Sequence, residues 1–339
     1  MAKLTAGKLK GLQKVSDARG VIAAAAMDQR GSLRKAIAQA RGVPSKQVTR
    51  EMMGEFKAAV TRILTPHASA ILLDPEYGLQ AARARSPNAG LLLAYEKSGY
   101  DKSGPGRLPD LLPLTVKQLI EAGADSIKLL IYDTPFDPPE INQEKHALVA
   151  RVGAECAYWD VPFFLEFVGY DPDGGESDLA YARKKPEIVI RSMEEFSQPE
   201  YLVDVLKVEV PVNLRFVEGT ETFAGTRAYS KTEAKELFQK AAAAAKKPFI
   251  YLSAGVSNPQ FAETLELAAE AGVPFCGVLC GRATWQDGVP IYGQRGIKAL
   301  EDWLTDQGVK NIAAVNERLT AAKPWTTYYD APVPTTASR

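Results

Sequence analysis

The sequence is short of metal ligands and of thiols. Two histidines, His67 and His146, and three cysteines, Cys156, Cys276 and Cys280, are scattered over 339 residues. A zinc site ordinarily gathers several imidazoles or thiolates, so zinc-dependent lyase or hydrolase chemistry is not expected, and no metal is assigned. An odd, scattered set of cysteines offers no disulfide framework and suits reduced thiols in a cytoplasmic protein. Cys276 and Cys280 read as core thiols on one strand face. An excess of charge is also missing, because 41 basic residues face 41 acidic ones. A nucleic-acid or membrane-surface binder would carry a basic surplus, so neither partner is expected. No apolar run follows the first lysines before Val21, so no signal peptide is expected. The run over 21–27 is far too short to span a bilayer.

What is present is ordinary globular material: 46% hydrophobic and 24% charged residues,. The length suits one large barrel or two average domains. Buried-strand candidates fall at 21–27, 68–73, 90–95, 126–132, 161–168, 203–210, 248–252 and 274–279,. Helical patterns fill the intervals. The segment 44–64 carries Val48, Met52, Phe56, Val60 and Ile63 at three- and four-residue spacing,. Capping signals open helices at Thr115, at Asp137 (to about Trp159), at Ser230 (through Ala245) and at Ser257 (through Ala271),. Further helices are expected over 32–41, 187–196, 293–304 and 312–322. The glycines of 104–106 have the wrong spacing for a dinucleotide loop. The polar stretch 169–185 reads as an insertion at the site. Eight strands alternating with helices, with no composition break, predict α/β architecture: a closed (β/α)₈ TIM barrel as a single domain over 1–330. The domain opens with a short helical lead-in, and a disordered tail is expected over 331–339.

In such a barrel, function gathers where the strands end at their carboxyl side. The polar residues there are Asp28, Asp74, Glu96, Lys128, Glu166, Lys207, Ser253 and Arg282. Lys207 lies in the middle of an apolar, β-branched strand. Taken alone, that segment also reads as an edge strand with solvated charges. Alternation turns Lys128, Glu166 and Lys207 to the inner face, and Asp28 follows the first strand. Two lysines and two carboxylates then share one mouth. Burial and a neighbouring ammonium both favour a neutral lysine, so one lysine assists deprotonation of the other. A neutral amine adds to a ketone and forms a Schiff base, an electron sink for making or breaking an adjacent C–C bond. A carboxylate such as Glu166 carries the protons. The competing reading is a balanced structural ion network.

The turns after strands seven and eight hold Ser253, Ala254, Gly255, Gly281 and Arg282, where barrels of this kind often bind phosphate,. Glycine admits close approach of backbone N–H groups, arginine adds a bidentate charge, and Ser257 opens a helix whose N-terminus favours anions. Tight strand-to-helix turns alone would also need those glycines.

Six stretches carry a resemblance: AMDQRGS at 26–32, DSIKLL at 125–130, FLEF at 164–167, VDVLKVEVPVN at 203–213, YLSAGV at 251–256 and GVLCGRATW at 277–285. Over about residues 8–326 the chain resembles the class I tagatose-1,6-bisphosphate aldolases of bacterial galactose and lactose catabolism, the LacD type. The resemblance implies Schiff-base formation at Lys207, proton transfer by Glu166, and assistance from Asp28 and Lys128. It implies a C1 phosphate on Ser253, Gly255, Gly281 and Arg282, with Gln29 and Arg30 as candidates for sugar or distal-phosphate contacts. It also implies no metal or other cofactor, and a phosphorylated ketose as substrate; a homo-oligomer is expected. Two rivals stand beside this reading. One is an aldolase for 6-deoxy-6-sulfofructose 1-phosphate or another ketose phosphate. The other is a non-catalytic phosphosugar-sensing barrel, in which a second buried lysine would have no use.

Overall fold

The computed structural model describes residues 3–97 and 105–332. Eight strands close into a parallel barrel: β1 Ile22–Met27, β2 Ala70–Leu73, β3 Gly90–Ala94, β4 Ser126–Asp133, β5 Phe163–Gly169, β6 Val205–Val208, β7 Phe249–Leu252 and β8 Gly277–Cys280. Each strand pairs with its sequence neighbours, and β1 pairs with β8 to complete the ring. The expected single (β/α)₈ barrel is therefore present. All eight strands lie within about three residues of where the apolar runs put them, because strands of a parallel barrel are buried on both faces and read as near-continuous hydrophobic segments,.

Alternation sorts the core into two layers. Ala24, Ala26, Leu72, Leu92, Ala94, Phe164, Val205, Ile250 and Leu279 fill the barrel interior. Met27, Leu73, Leu93, Leu129, Leu165, Leu206 and Tyr251 face the helical ring. Alanine-rich β1 is a strand in spite of alanine's helical preference, since tertiary packing overrides a weak propensity and small side chains fit the crowded interior. The lead-in helix Ala6–Val15 sends Leu12 and Val15 into the base of the barrel, and Trp325 and Tyr329 close that end from the other side.

Several local expectations are corrected. The helix expected over 44–64 starts at Arg50, because the Thr49 hydroxyl accepts from Met52 N and caps it there. Asp137 does not cap the helix Pro139–Tyr158; its carboxylate is held by Lys145 and by the Tyr170 hydroxyl. The insertion over 169–185 turns helical at Leu179, where Asp178 caps a helix running to Glu195. The last helices begin earlier than expected, at Gly288 and Val309, with a break at Gly296. The stretch between β6 and the helix Lys231–Ala244 contains an unforeseen two-residue parallel ribbon, Val217–Glu218 with Tyr229–Ser230. Cys276 and Cys280 do not share a face: the first packs in the inner core and the second in the outer. Between them Gly277 has φ +134°, which breaks the alternation. The tail over 333–339 and the first glycine of 104–106 lie outside the described residues.

Candidate functional site

Lys207 sits in β6 two residues after Val205, an interior residue, so its side chain also points inward. Its register partner on β5 is Glu166. The Lys207 Nζ lies 2.8 Å from Glu166 Oε2, and Lys128 Nζ lies 2.7 Å from the same oxygen. Lys128 Nζ also meets Asp28 Oδ2 at 2.9 Å and Glu96 Oε1 at 2.8 Å. Lys128, Lys207, Glu96 and Glu166 are buried, at 0% exposure for Lys128 and 3% for Lys207, and Asp28 is partly buried. The four residues expected to meet in the mouth do meet there.

The electrostatics follow from that crowding. Burial alone would raise the Asp28 carboxyl, but the ammonium groups of Lys128 and Lys207 outweigh it and hold Asp28 below the usual carboxylate range,. Glu96 goes the other way. Burial dominates, and its carboxyl is raised in spite of Lys128 and Arg30. Neighbouring carboxylates on one ammonium thus have opposed proton affinities, an arrangement suited to holding one charge fixed while another group exchanges protons.

Ser253, Ala254, Gly255, Gly281 and Arg282 line the same cavity, which measures about 860 Å³ and also contains Asp28, Gln29, Arg30, Glu166 and Lys207. Ala254 and Gly255 are successive left-handed residues, with φ of +48° and +80°. A side chain at Gly255 would stand 2.5 Å from the Arg282 guanidinium carbon, so glycine is what lets that arginine lie over the turn,. Ser257 caps the helix Asn258–Glu270 just beyond. Backbone donors, an exposed guanidinium and a helix start therefore converge on one wall,.

Gln29 and Arg30 line the cavity in different ways. Arg30 is committed to the protein: its Nη2 donates to the Glu96 carbonyl at 2.7 Å and its Nη1 meets Glu76 at 3.3 Å. The Gln29 side-chain oxygen is buried with no hydrogen-bond partner among the described residues. The wall also carries Lys185 paired with Glu209 at 3.0 Å, Tyr132, and Glu176, whose ion-pair partner Arg107 stands over the Tyr132 ring.

Sequence reasoning left out two parts of the site. Glu96 is visible as a polar residue at a strand end, yet nothing in its own segment says that it turns onto Lys128. Lys57 comes from the helix Arg50–Leu64 and is fully buried against Asp74 at 2.6 Å. Its signal was a lysine on the same helical stripe as Met53, Val60 and Leu64, all buried,. Among the described residues no three His, Cys, Asp or Glu side chains gather as metal ligands, and no helix is long and apolar enough to cross a membrane.

Residues 22–287 match the family model described as DeoC/LacD family aldolase. The chain is 51% identical over 329 residues to a tagatose 1,6-diphosphate aldolase 2 of Enterococcus faecalis, covering 96% of this chain and 97% of the relative. It is 49% identical to a tagatose 1,6-diphosphate aldolase of Listeria monocytogenes, at 97% and 96% coverage. It is 47% identical to one from Lactococcus lactis, at 95% and 98% coverage. Among solved structures, a Schiff-base-forming fructose-1,6-bisphosphate aldolase superposes with a TM-score of 0.56 at 14% identity, covering 91% of this chain and 98% of that one. An archaeal fructose-1,6-bisphosphate aldolase superposes at 0.55 and 15%, with the same coverage. These last two establish likeness of fold. With a family model spanning most of the barrel and near-full-length relatives at about half identity, the chain belongs to the DeoC/LacD family of aldolases.

Proposed function

We propose that this chain is a class I, metal-independent aldolase that reversibly cleaves tagatose 1,6-bisphosphate to dihydroxyacetone phosphate and glyceraldehyde 3-phosphate, with Lys207 as the Schiff-base lysine. The observation that carries the reading is the single oxygen Glu166 Oε2, set 2.8 Å from Lys207 Nζ and 2.7 Å from Lys128 Nζ inside the mouth of the barrel. Relatives named for this reaction, at 47–51% identity over nearly the whole chain, support the substrate.

The chemistry follows from the geometry. Lys207 passes a proton to the neighbouring carboxylate and its free amine adds to C2 of the ketose. The resulting carbinolamine loses water when Glu166 returns a proton to the departing hydroxyl. The iminium so formed draws electrons from C3–C4. As that bond breaks, Glu166 takes the proton of the C4 hydroxyl, and the aldehyde leaves. The enamine left on Lys207 is protonated at C3, and water releases dihydroxyacetone phosphate. Lys128, held by Asp28, Glu96 and Glu166, keeps Glu166 aimed at Lys207. Ser253, Ala254, Gly255, Gly281 and Arg282 hold the C1 phosphate, which fixes C2 over the amine. Gln29, with its buried side-chain oxygen, reaches a sugar hydroxyl.

The three free, buried cysteines and a charged sugar substrate fit a cytoplasmic enzyme,. One barrel domain carries the whole reaction. A homo-oligomeric state belongs to the proposal and is read by light scattering. The decisive test is borohydride added with dihydroxyacetone phosphate. It should fix one ketose phosphate on Lys207, located by mass spectrometry, and Lys207→Met should take up none and lose cleavage. Labelling at another lysine would overturn the assignment.

A further inference from the structure

Lys57 is fully buried and lies outside the cavity wall. It belongs to the helix Arg50–Leu64, packed on the outside of β1. Its Nζ reaches the carbonyl oxygens of Met27 at 2.6 Å and Gln29 at 2.8 Å, and the Asp74 carboxylate at 2.6 Å. The ammonium donates to the two carbonyls, and the Asp74 carboxylate stands beside it as its ion-pair partner. The two carbonyls flank Asp28. They lie at and just beyond the Met27–Leu73 pairing that ends the β1–β2 ladder. Asp74 is in turn fixed, because its other oxygen accepts from Tyr77 N at 2.8 Å.

A buried ion pair is a poor way to hold a helix on a sheet, since desolvating both charges offsets most of the attraction and an apolar pair packs as well. The pair does something an apolar pair does not. It draws the carbonyls on either side of Asp28 outward, toward the helical layer. The side chain between them is then turned into the mouth, where it meets Lys128 at 2.9 Å. We propose that Lys57, anchored by Asp74, is a positioning residue for the aldol cleavage. It clamps the backbone on both sides of Asp28 and thereby sets the carboxylate that orients Lys128 and, through it, Glu166. The inference rests on the roles assigned above to Asp28, Lys128 and Glu166. Lys57 itself touches neither substrate nor the reacting atoms.

Lys57→Met alone strands the Asp74 carboxylate, so the test uses Lys57→Met/Asp74→Asn. This variant removes both charges and keeps an acceptor for Tyr77 N. Thermal melting and circular dichroism establish the folded fraction, and steady-state cleavage of tagatose 1,6-bisphosphate is normalised to it. A displaced Asp28 predicts a kcat lower by about 10- to 100-fold, the scale of a misplacement of about 1 Å, with KM within about threefold because the phosphate wall is untouched. Borohydride trapping at Lys207 still occurs, more slowly. A purely structural pair predicts a lower melting temperature with kcat per folded molecule unchanged, and that result would overturn the clamp. Should the double variant not fold, Asp74→Asn alone is read in the same way. It loosens the anchor, and kcat should fall severalfold; an unchanged kcat again overturns the clamp. The unaltered chain serves as control. Trapping at Lys207 there, with no change in the variant, sinks the clamp alone, whereas trapping at another lysine sinks the reading of the site and the clamp together.

Discussion

Arg282 shows how much of this site depends on single residues. Its guanidinium lies over Gly255, exposed at the wall where the two glycine turns meet. In the proposed reaction it pairs with the C1 phosphate, and hydrogen bonds to charged groups contribute about 1.5–3 kcal/mol each. Arg282→Ala should therefore raise KM for tagatose 1,6-bisphosphate by about ten- to a hundredfold. Imine trapping at Lys207 should survive at saturating substrate, because the lysine and Glu166 are not disturbed. A variant with native KM would move the phosphate elsewhere on the wall. At this scale the sequence was informative wherever chemistry and strand position coincided, as for Asp28, Lys128, Glu166 and Lys207. Where function is reached from outside the barrel it showed only a lysine on a buried helical stripe. Lys57 sits on a helix, and only folding brings its ammonium beneath the end of β1. Arg30 looked available to substrate, and folding instead commits it to the Glu96 carbonyl and Glu76.

At the level of elements, the chain's punctuation is written in side chains that satisfy backbone groups. Thr115, Ser230 and Ser257 were legible as helix starts, and each accepts from the backbone N–H three residues on,. Asp137 was misread because Lys145, two turns into the helix itself, and the Tyr170 hydroxyl from beyond β5 hold its carboxylate instead. The helix Leu179–Glu195 was only half legible, since the basic run Arg183, Lys184 and Lys185 and then Pro186 interrupt its apolar stripe. Gly277 is an element-level position where substitution carries a large predicted cost. It opens β8 with φ +134°, and a Cβ there would stand 2.1 Å from the Ile22 carbonyl oxygen of β1. Gly277→Ala combines backbone strain of about 1–3 kcal/mol with overpacking of about 1–3 kcal/mol. The seam between the first and last strands must give way. Urea unfolding should show a loss of about 2–6 kcal/mol, whereas a loss below about 1 kcal/mol would mean that β8 shifts its register freely.

At the scale of the whole molecule, the barrel is plugged at its base and open at its mouth. Leu12 and Val15 enter from the lead-in helix, and the Trp325 ring is fully buried with its Nε1 donating to Ser16 Oγ at 3.1 Å. The Tyr329 hydroxyl donates to the Asp204 carbonyl at 2.8 Å, while Lys8 pairs with the Asp204 carboxylate at 2.8 Å. The three thiols sample this architecture. Cys156 is on the buried face of the helix Pro139–Tyr158 and Cys280 on the outer face of β8, both in the outer core; Cys276 lies in the inner core beside the base. Burial pushes the Cys276 and Cys280 thiols up to about 12 and Cys156 higher still, and only a thiolate reacts with a disulfide reagent,. At pH 8 the folded protein should therefore leave all three unmodified, and guanidinium chloride should expose all three. The order of release carries the information. If the inner and outer cores form one cooperative unit, as closure of β1 on β8 implies, the three thiols react in a single phase at the rate of global unfolding. Early reaction of Cys276 alone would show instead that the plug formed by the two chain ends opens independently of the barrel, leaving the mouth and its lysines intact.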